Sequence, residues 1–215
     1  MSFISSLLDL LFPPKCVFCG KVIGAGNGWC ARCDEELPYT KDGGRSGGEY
    51  YDFCISPLYY EGLVRKSILR YKFRGASAYA GAYGKLLSGC VHDHADGEYD
   101  IISWVPLSIK RERKRGYDQA MLLALATALG LDDVAVETLK KPHDVTAQSE
   151  LSGREERQAN ISGAYEAPDA ELVEGKRILL IDDIVTTGST LSECARVLLE
   201  AGAKRVICAA LARGE

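Results

Sequence analysis

Ile178-Leu179-Leu180-Ile181 is a run of large aliphatic residues that meets two carboxylates, Asp182 and Asp183. A short hydroxyl-rich stretch follows, Thr186-Thr187-Gly188-Ser189-Thr190, and helical spacing takes over across residues 191–201, closed by Gly202. The aliphatic run reads as a buried strand that ends on the acid pair, and the whole segment as strand, loop and helix N-terminus. Few arrangements satisfy all three parts at once. Free N–H groups at a helix start, together with the helix dipole, attract a phosphate dianion. Gly188 lets the backbone come close to it, and Thr186, Thr187, Ser189 and Thr190 add hydroxyl donors. Asp182 and Asp183 accept hydrogen bonds, as the vicinal hydroxyls of a ribose require. In an open parallel sheet, ligands sit outside the carboxyl ends of the strands, where this pair would lie. The segment therefore reads as a site for a phosphorylated sugar.

Three competing readings are weaker. A Walker A loop needs Gly-Lys-Ser/Thr, which does not occur here. A receiver domain opens with its acidic pair, whereas here only residues 184–215 follow it. An ordinary strand-to-helix turn with a capped helix would explain the elements and leave the acid pair without a purpose.

At 215 residues the chain can hold one moderate domain and a small appendage. A formal charge of −4 argues against a surface coated in positive charge for non-specific nucleic-acid binding, though it permits local basic patches. No apolar run approaches a membrane span. Residues 1–12 lack a positive n-region and contain Asp9, so they read as a short amphipathic helix stopped by Pro13-Pro14 rather than a secretory signal. A cytoplasmic protein is expected.

The eight cysteines fall into two sets. Cys16-x-x-Cys19 and Cys30-x-x-Cys33 form two knuckles separated by a glycine-rich stretch, and four thiolates fill a tetrahedral zinc shell with no position left open. The expected metal is structural Zn²⁺. Cys54, Cys90, Cys194 and Cys208 are expected to be inert core thiols. Residues 1–40 thus form a helix and zinc module, residues 41–48 a Gly-rich linker that separates the two cores, and residues 49–215 the main domain, with β and α elements alternating. That alternation predicts an α/β fold with a doubly wound parallel sheet.

A second block runs from Val105-Pro106 through Lys110, Arg111, Arg113, Lys114 and Arg115 to Gly116-Tyr117-Asp118-Gln119. It reads as a loop of cations between a strand end and a helix. Arginine offers paired donors to phosphate oxygens, so Lys110, Arg111, Arg113 and Arg115 are candidates for a pyrophosphate. The plainer reading is a solvated charged loop. A third block, residues 146–165, contains Gln148, Arg154, Arg157 and Asn160, and its plainer reading is a capped surface helix. Arg65, Lys66, Arg70, Lys72 and Arg74 alternate with Tyr71 and Phe73, a pattern that could track single-stranded nucleic acid or form a solvated helix face. His92, His94 and His143 lie in polar, loop-like stretches and read as surface histidines.

The Asp-Asp-Ile-Val-Thr-Thr-Gly-Ser-Thr segment resembles the phosphoribosyl-pyrophosphate (PRPP) motif of type I phosphoribosyltransferases. With the double Cys-x-x-Cys head, the Val-Pro stretch leading to Arg-Gly-Tyr-Asp-Gln, and the segment from Gln148 to Asn160, most of the chain resembles the ComF family. It departs mildly, with Asp118 where many relatives carry Asn. The resemblance implies a phosphoribosyltransferase-like sheet and acids that hold the ribose hydroxyls. It implies a Thr-Gly loop around the 5′-phosphate, Mg²⁺ bound with PRPP, and a flexible loop carrying Gln148, Arg154, Arg157 and Asn160. It also implies a role in natural transformation, handling incoming single-stranded DNA beside a helicase-like partner. An active phosphoribosyltransferase with a nitrogen acceptor, or a PRPP sensor without turnover, remains open. Purine-salvage relatives place an acid at the position occupied here by Thr186, and no other residue is marked as a general base.

Overall fold

The computed structural model describes residues 13–24, 26, 28–142 and 163–214. Five strands form one parallel sheet: β1 (Cys54–Ile55), β2 (Leu58–Tyr59), β3 (Ile101–Trp104), β4 (Arg177–Val185) and β5 (Arg205–Arg213). The order across it is β1–β5–β4–β3. β1 and β2 both lie along β5, Cys54 opposite Cys208 and Leu58 opposite Ala212, so they act as one edge strand broken at Pro57. Proline has no N–H to give the ladder, which accounts for the break.

Seven helices are described: α1 (Ala31–Glu36), α2 (Gly62–Phe73), α3 (Ala80–Ala95), α4 (Ile109–Arg115), α5 (Gln119–Gly130), α6 (Ala170–Val173) and α7 (Ser189–Glu200). Strand side chains alternate between faces, and the long central strands are apolar on both. Leu179, Ile181, Ile207, Ala209 and Leu211 pack with Leu87 and Val91 of α3 and Leu123 and Ala124 of α5. Ile178, Leu180, Val206, Cys208 and Ala210 pack with Leu191, Cys194 and Leu198 of α7. Each fully buried aliphatic side chain here contributes roughly 1.5–3 kcal/mol. The sheet is therefore covered on both faces, as a doubly wound fold requires. α3 and α5 approach closely because position 84 is glycine; a Cβ there would lie 2.5 Å from the Ala126 Cβ.

The winding direction reverses between β3 and β4. From β3 the chain leaves through α4 and α5 and returns beyond β3, where Ala135 pairs with Ile102 in a parallel bridge. From β4 it leaves through α7 toward β5 on the other side. A crevice at the carboxyl ends of β3 and β4 is the result, and it is where such sheets bind ligands.

The N-terminal module is not held apart by a linker. Cys16, Val17, Phe18, Cys33 and Leu37 belong to the same buried cluster as Ile68, Tyr83 and Leu87. The Arg70 guanidinium donates to the carbonyls of Val17 (2.8 Å) and Phe18 (2.7 Å), and the Ser67 hydroxyl also donates to Val17. Residues 41–48 are pinned rather than spacer-like: Ser46 bridges Cys54, and the Gly44 carbonyl accepts from Arg213 at 2.6 Å. Composition suggested a tether, but Asp42 and the glycines supply turns that fold this stretch back onto the sheet edge.

Other boundaries moved. A 3₁₀ turn, Ser77–Tyr79, leads into α3, which continues to Ala95 and puts His92 and His94 on its last turn rather than in loops. Beyond α5 the chain touches the sheet through the Ala135 bridge, and Glu166 pairs with Lys140 in an antiparallel bridge. The helix expected at residues 1–12, the block at residues 148–160 and His143 lie outside the described residues. No helix among the described residues is long and apolar enough to cross a membrane.

Candidate functional site

β4 does not stop at the acid pair. Its ladder with β5 continues through Val185 opposite Arg213, because β5 is equally long. Asp182 and Asp183 are therefore strand residues, and the period of two sends their side chains to opposite faces. Asp182 faces the side covered by α7. With Thr186, Thr187, Gly188, Ser189 and Thr190 it lines a small cavity of about 40 Å³. Gly188 sits at φ 75° in the left-handed region and makes the turn into α7. Gly188 has no side chain to cap that helix, and the Ser189 N–H donates to the Thr187 hydroxyl at 3.4 Å. The Thr187 and Ser189 hydroxyls lie 2.9 Å apart across the loop. A space of this size, lined with hydroxyls and amides, suits one tetrahedral anion rather than a whole nucleotide.

Asp183 turns the other way, toward α2. One carboxylate oxygen meets the Lys72 ammonium at 2.8 Å, and the side chain is 4% exposed. The other oxygen, Oδ2, is buried with no hydrogen-bond partner among the described residues. A buried acceptor left unpaired is unfavourable by about 1–3 kcal/mol, more for a charged group. Burial pushes the Asp182 carboxyl above the usual carboxylate range, and the neighbouring Asp183 charge adds to the rise while Lys72 opposes it.

Across the crevice the basic segment is a helix, not the expected loop. Gly116, at φ 84°, ends it, with its N–H donating to the Glu112 carbonyl at 2.7 Å. Helical periodicity divides the cations. Arg111, Lys114 and Arg115 line one cavity with Lys72 and Phe73. Lys110 and Arg113 line another with Ile109 and Pro142. The four pyrophosphate candidates are thus not gathered in one place: Arg111 and Arg115 go to the first cavity, Lys110 and Arg113 to the second.

One buried carboxylate, Asp118, fixes this arm. Its Oδ1 accepts from the N–H groups of Ala120 (2.9 Å) and Met121 (3.1 Å), capping α5, and its Oδ2 accepts from Leu107 N–H at 2.7 Å. Both flanks of α4 are therefore tied to a single side chain. Burial pushes the Asp118 carboxyl up, and those three backbone donors pull against the rise.

The five cations of α2 and its C-cap divide as well. Arg70 is committed to the Val17 and Phe18 carbonyls and Lys72 to Asp183, while Arg65, Lys66 and Arg74 are exposed. Tyr71 is fully buried and Phe73 is 64% exposed. Lys72 and Phe73 belong to the crevice rather than to an outer strip, which local sequence could not reveal, because the Lys72 contact joins distant parts of the chain. Asp118 did carry a local signal: an Asp directly before an apolar helical run is an N-cap. A cavity of about 900 Å³ between Pro13–Pro14 and helices α3 and α5 lies away from this chemistry and is lined mainly by small and apolar residues.

In the N-terminal module the sulfur atoms of Cys16, Cys19, Cys30 and Cys33 all lie within 4.8 Å of one another, with Cys19 and Cys30 at 3.8 Å. Zinc–sulfur bonds of about 2.3 Å in a tetrahedron set sulfurs about 3.8 Å apart, so the cluster fits a four-thiolate zinc. Gly20, at φ 78°, closes the first knuckle, and the second opens α1 with Cys30 at its N-cap. Burial opposes ionisation of Cys16, but hydrogen bonding from the backbone at Cys19, Cys30 and Phe18 outweighs it and leaves the thiol below its ordinary range.

Comparison with known proteins matches these two parts separately. The phosphoribosyl transferase domain family matches residues 116–215, and the double zinc ribbon domain family residues 7–43. The chain is 28% identical to Competence protein F of Haemophilus influenzae over 222 residues, covering 93% of this chain and 96% of that protein. It is 30% identical to Competence protein ComFC of Bacillus subtilis over 147 residues, 66% of this chain and 56% of that protein. DNA utilization protein YhgH of Salmonella typhi is 38% identical over 111 residues, 50% of this chain and 46% of that protein. The chain thus spans nearly all of the first relative and about half of the other two. Among solved structures, the B. subtilis glutamine phosphoribosylpyrophosphate amidotransferase complexed with ADP and GMP aligns at a TM-score of 0.45 and 21% identity, over 65% of this chain and 30% of that one. The α/β domain is phosphoribosyltransferase-like, and the four cysteines are a structural zinc site.

Two outcomes follow from this geometry. Cys33→Ser is expected to lose zinc in metal analysis and to lower the Tm of the chain in one transition, because the head shares its apolar cluster with α2 and α3. Two separated thermal transitions would show independent cores. Lys72→Met leaves Asp183 buried without its cation and is expected to destabilise by about 3 kcal/mol in urea denaturation. Adding Asp183→Leu is expected to restore most of that loss; additive losses would show that the pair is not coupled.

Proposed function

We propose that this chain, which belongs to the ComF family, binds PRPP or a related ribose 5-phosphate at the carboxyl end of β4 and serves the uptake of transforming DNA. The carrying observation is the Asp183 Oδ2 atom, buried and without a partner among the described residues at the switch point of the sheet, one residue after Asp182, which lines a glycine-turned loop of hydroxyls. A ribose hydroxyl would satisfy that oxygen, and the Thr186 to Thr190 loop would hold the 5′-phosphate. A carboxylate also fits the oxygen-donor preference of Mg²⁺, which in this reading enters with PRPP and neutralises its pyrophosphate. Lys110 and Arg113 beside Pro142 are assigned to that pyrophosphate, and Gln148, Arg154, Arg157 and Asn160, which follow Pro142 in the chain, to the same end of the ligand.

The competence reading draws on the names of the relatives, Competence protein F and DNA utilization protein, and on the exposed cations of α2. Arg65 and Lys66 near the start of α2 and Arg74 at its C-cap are exposed, where they would meet a single strand, with a helicase as the functional neighbour. Eight unpaired thiols and a zinc–thiolate site fit a reducing compartment, and we place the chain in the cytoplasm.

Titration calorimetry with Mg²⁺-PRPP tests the site. Gly188→Val forces a β-branched residue into the left-handed region and drives its side chain toward the Tyr51 hydroxyl, so affinity is expected to fall about 100-fold. Unchanged affinity in that variant would sink the assignment. Fluorescence anisotropy with oligothymidylate tests the DNA surface. Affinity is expected to fall with salt at a log–log slope of about −0.7 per phosphate contact and to weaken when Arg65, Lys66 and Arg74 become Gln. Saturating Mg²⁺-PRPP is expected to leave the DNA bound; displacement would mean that the two ligands share one surface.

A further inference from the structure

The cavity of about 470 Å³ lined by Lys72, Phe73, Arg111, Lys114 and Arg115 has two properties seldom found together. Of the five described residues that line it, four are cationic and none is acidic. The fifth is Phe73, an aromatic ring left 64% exposed at the end of α2 when Tyr71, two residues earlier, is fully buried. The Arg115 guanidinium lies 4.8 Å from the Phe73 ring centroid and donates to the neutral Gln119 amide at 2.6 Å. Among the described residues neither Arg111 nor Lys114 takes part in an ion pair. The positive charge in the cavity is therefore largely unspent, apart from Lys72, which reaches out of it to Asp183.

We propose that this cavity is the acceptor subsite of the PRPP site, and that the acceptor is a flat, negatively charged heteroaromatic ring with an unprotonated, pyridine-type nitrogen. The proposal rests on the PRPP reading above, whose ribose acid is joined to the cavity by Lys72. A bare phosphate or pyrophosphate would use the cations and leave the ring idle. A neutral base would stack on Phe73 and leave the cations uncompensated. A planar anion uses both, through stacking and charge-assisted hydrogen bonds.

The ring nitrogen is constrained by the missing base. Among the described residues no carboxylate lines the cavity, and Thr186 stands where purine-salvage enzymes carry an acid. A nitrogen that must shed a proton has no partner to receive it there. A pyridine-type nitrogen carries no proton. Its lone pair bonds to C1 of the ribose while the C1–oxygen bond breaks, and pyrophosphate departs with that electron pair. The product ring is a pyridinium, and no proton changes hands. Attack and departure take place on opposite sides of C1, and α4 offers two cationic faces: Arg111, Lys114 and Arg115 toward this cavity, Lys110 and Arg113 toward the other.

Nicotinate and nicotinamide are suitable probes, equal in ring and nearly equal in size but different in charge. Calorimetry on the whole chain, with and without Mg²⁺-PRPP, is expected to show nicotinate binding at least about tenfold tighter than nicotinamide. Phe73→Ala, at an exposed position, is expected to weaken nicotinate about tenfold, as is Arg111→Gln. Pyrophosphate release from Mg²⁺-PRPP is expected to rise with nicotinate and not with nicotinamide. Equal affinities for the two probes overturn the proposal. So does nicotinate binding that is insensitive to Phe73→Ala and displaced by inorganic pyrophosphate, which would make the cavity a phosphate pocket only. Oligothymidylate binding that is lost in Phe73→Ala while nicotinate fails to bind overturns it in favour of a nucleic-acid surface. If PRPP itself does not bind, the proposed function falls, and the contrast between the two probes on the PRPP-free protein still decides what the cavity takes.

Discussion

Two carboxylates side by side in a β-strand cannot point the same way. At the end of β4 this period of two sends Asp182 to the α7 face and Asp183 to the face covered by α2 and α5, and much of the crevice follows from that division. The first acid joins the Thr-Gly loop. The second is carried into a nearly closed environment, where an ionised carboxylate needs a cation, and Lys72 at the end of α2 supplies it at 2.8 Å. That pair fixes the position of α2's last turn, and with it the exposed ring of Phe73. Oδ2 has no donor among the described residues, and a hydroxyl would suit that unsatisfied acceptor.

The other wall depends on a single side chain in a comparable way. Asp118 accepts three backbone N–H groups, two at the start of α5 and one at Leu107, so the whole cationic arm hangs from one buried carboxylate. A neutral Asn at this position could cap α5 through its oxygen, but its amide NH₂ could not accept from Leu107 N–H. The charged residue holds both ends at once. Its negative charge also lies close enough to Asp182 to raise that carboxyl further, so the anchor of the basic wall acts on the acids it faces.

What local sequence encodes was legible. The strand–loop–helix at residues 177–200, the paired cysteine knuckles and the alternation of β and α elements each depend on neighbours within a few residues, and the parallel sheet followed from them. What depends on distant neighbours or on conformation was less so. The cations at residues 110–115 look like a loop because they lack an apolar stripe, yet they wind into a helix stopped by Gly116, and winding divides them between two cavities. Lys72 sits among other cations and aromatics that suggest a surface strip, and only the fold brings it to Asp183. Residues 41–48 have the composition of a tether, but their turns close against the sheet edge.

The zinc module shows the same limit and explains what the metal does. Head and main domain share one apolar cluster, and Arg70 and Ser67, both on α2, hold the carbonyls of the first cysteine knuckle. α2 is thus fixed at two places: midway by the zinc module and at its end by Asp183. Four thiolates around zinc stabilise a knuckle too small to have a core of its own. That knuckle in turn supplies the carbonyls that orient the helix carrying Lys72 and Phe73. The structural metal is therefore connected to the crevice through one helix and two side chains, and the placement of Lys72 against Asp183 depends on a helix that the zinc module helps to hold.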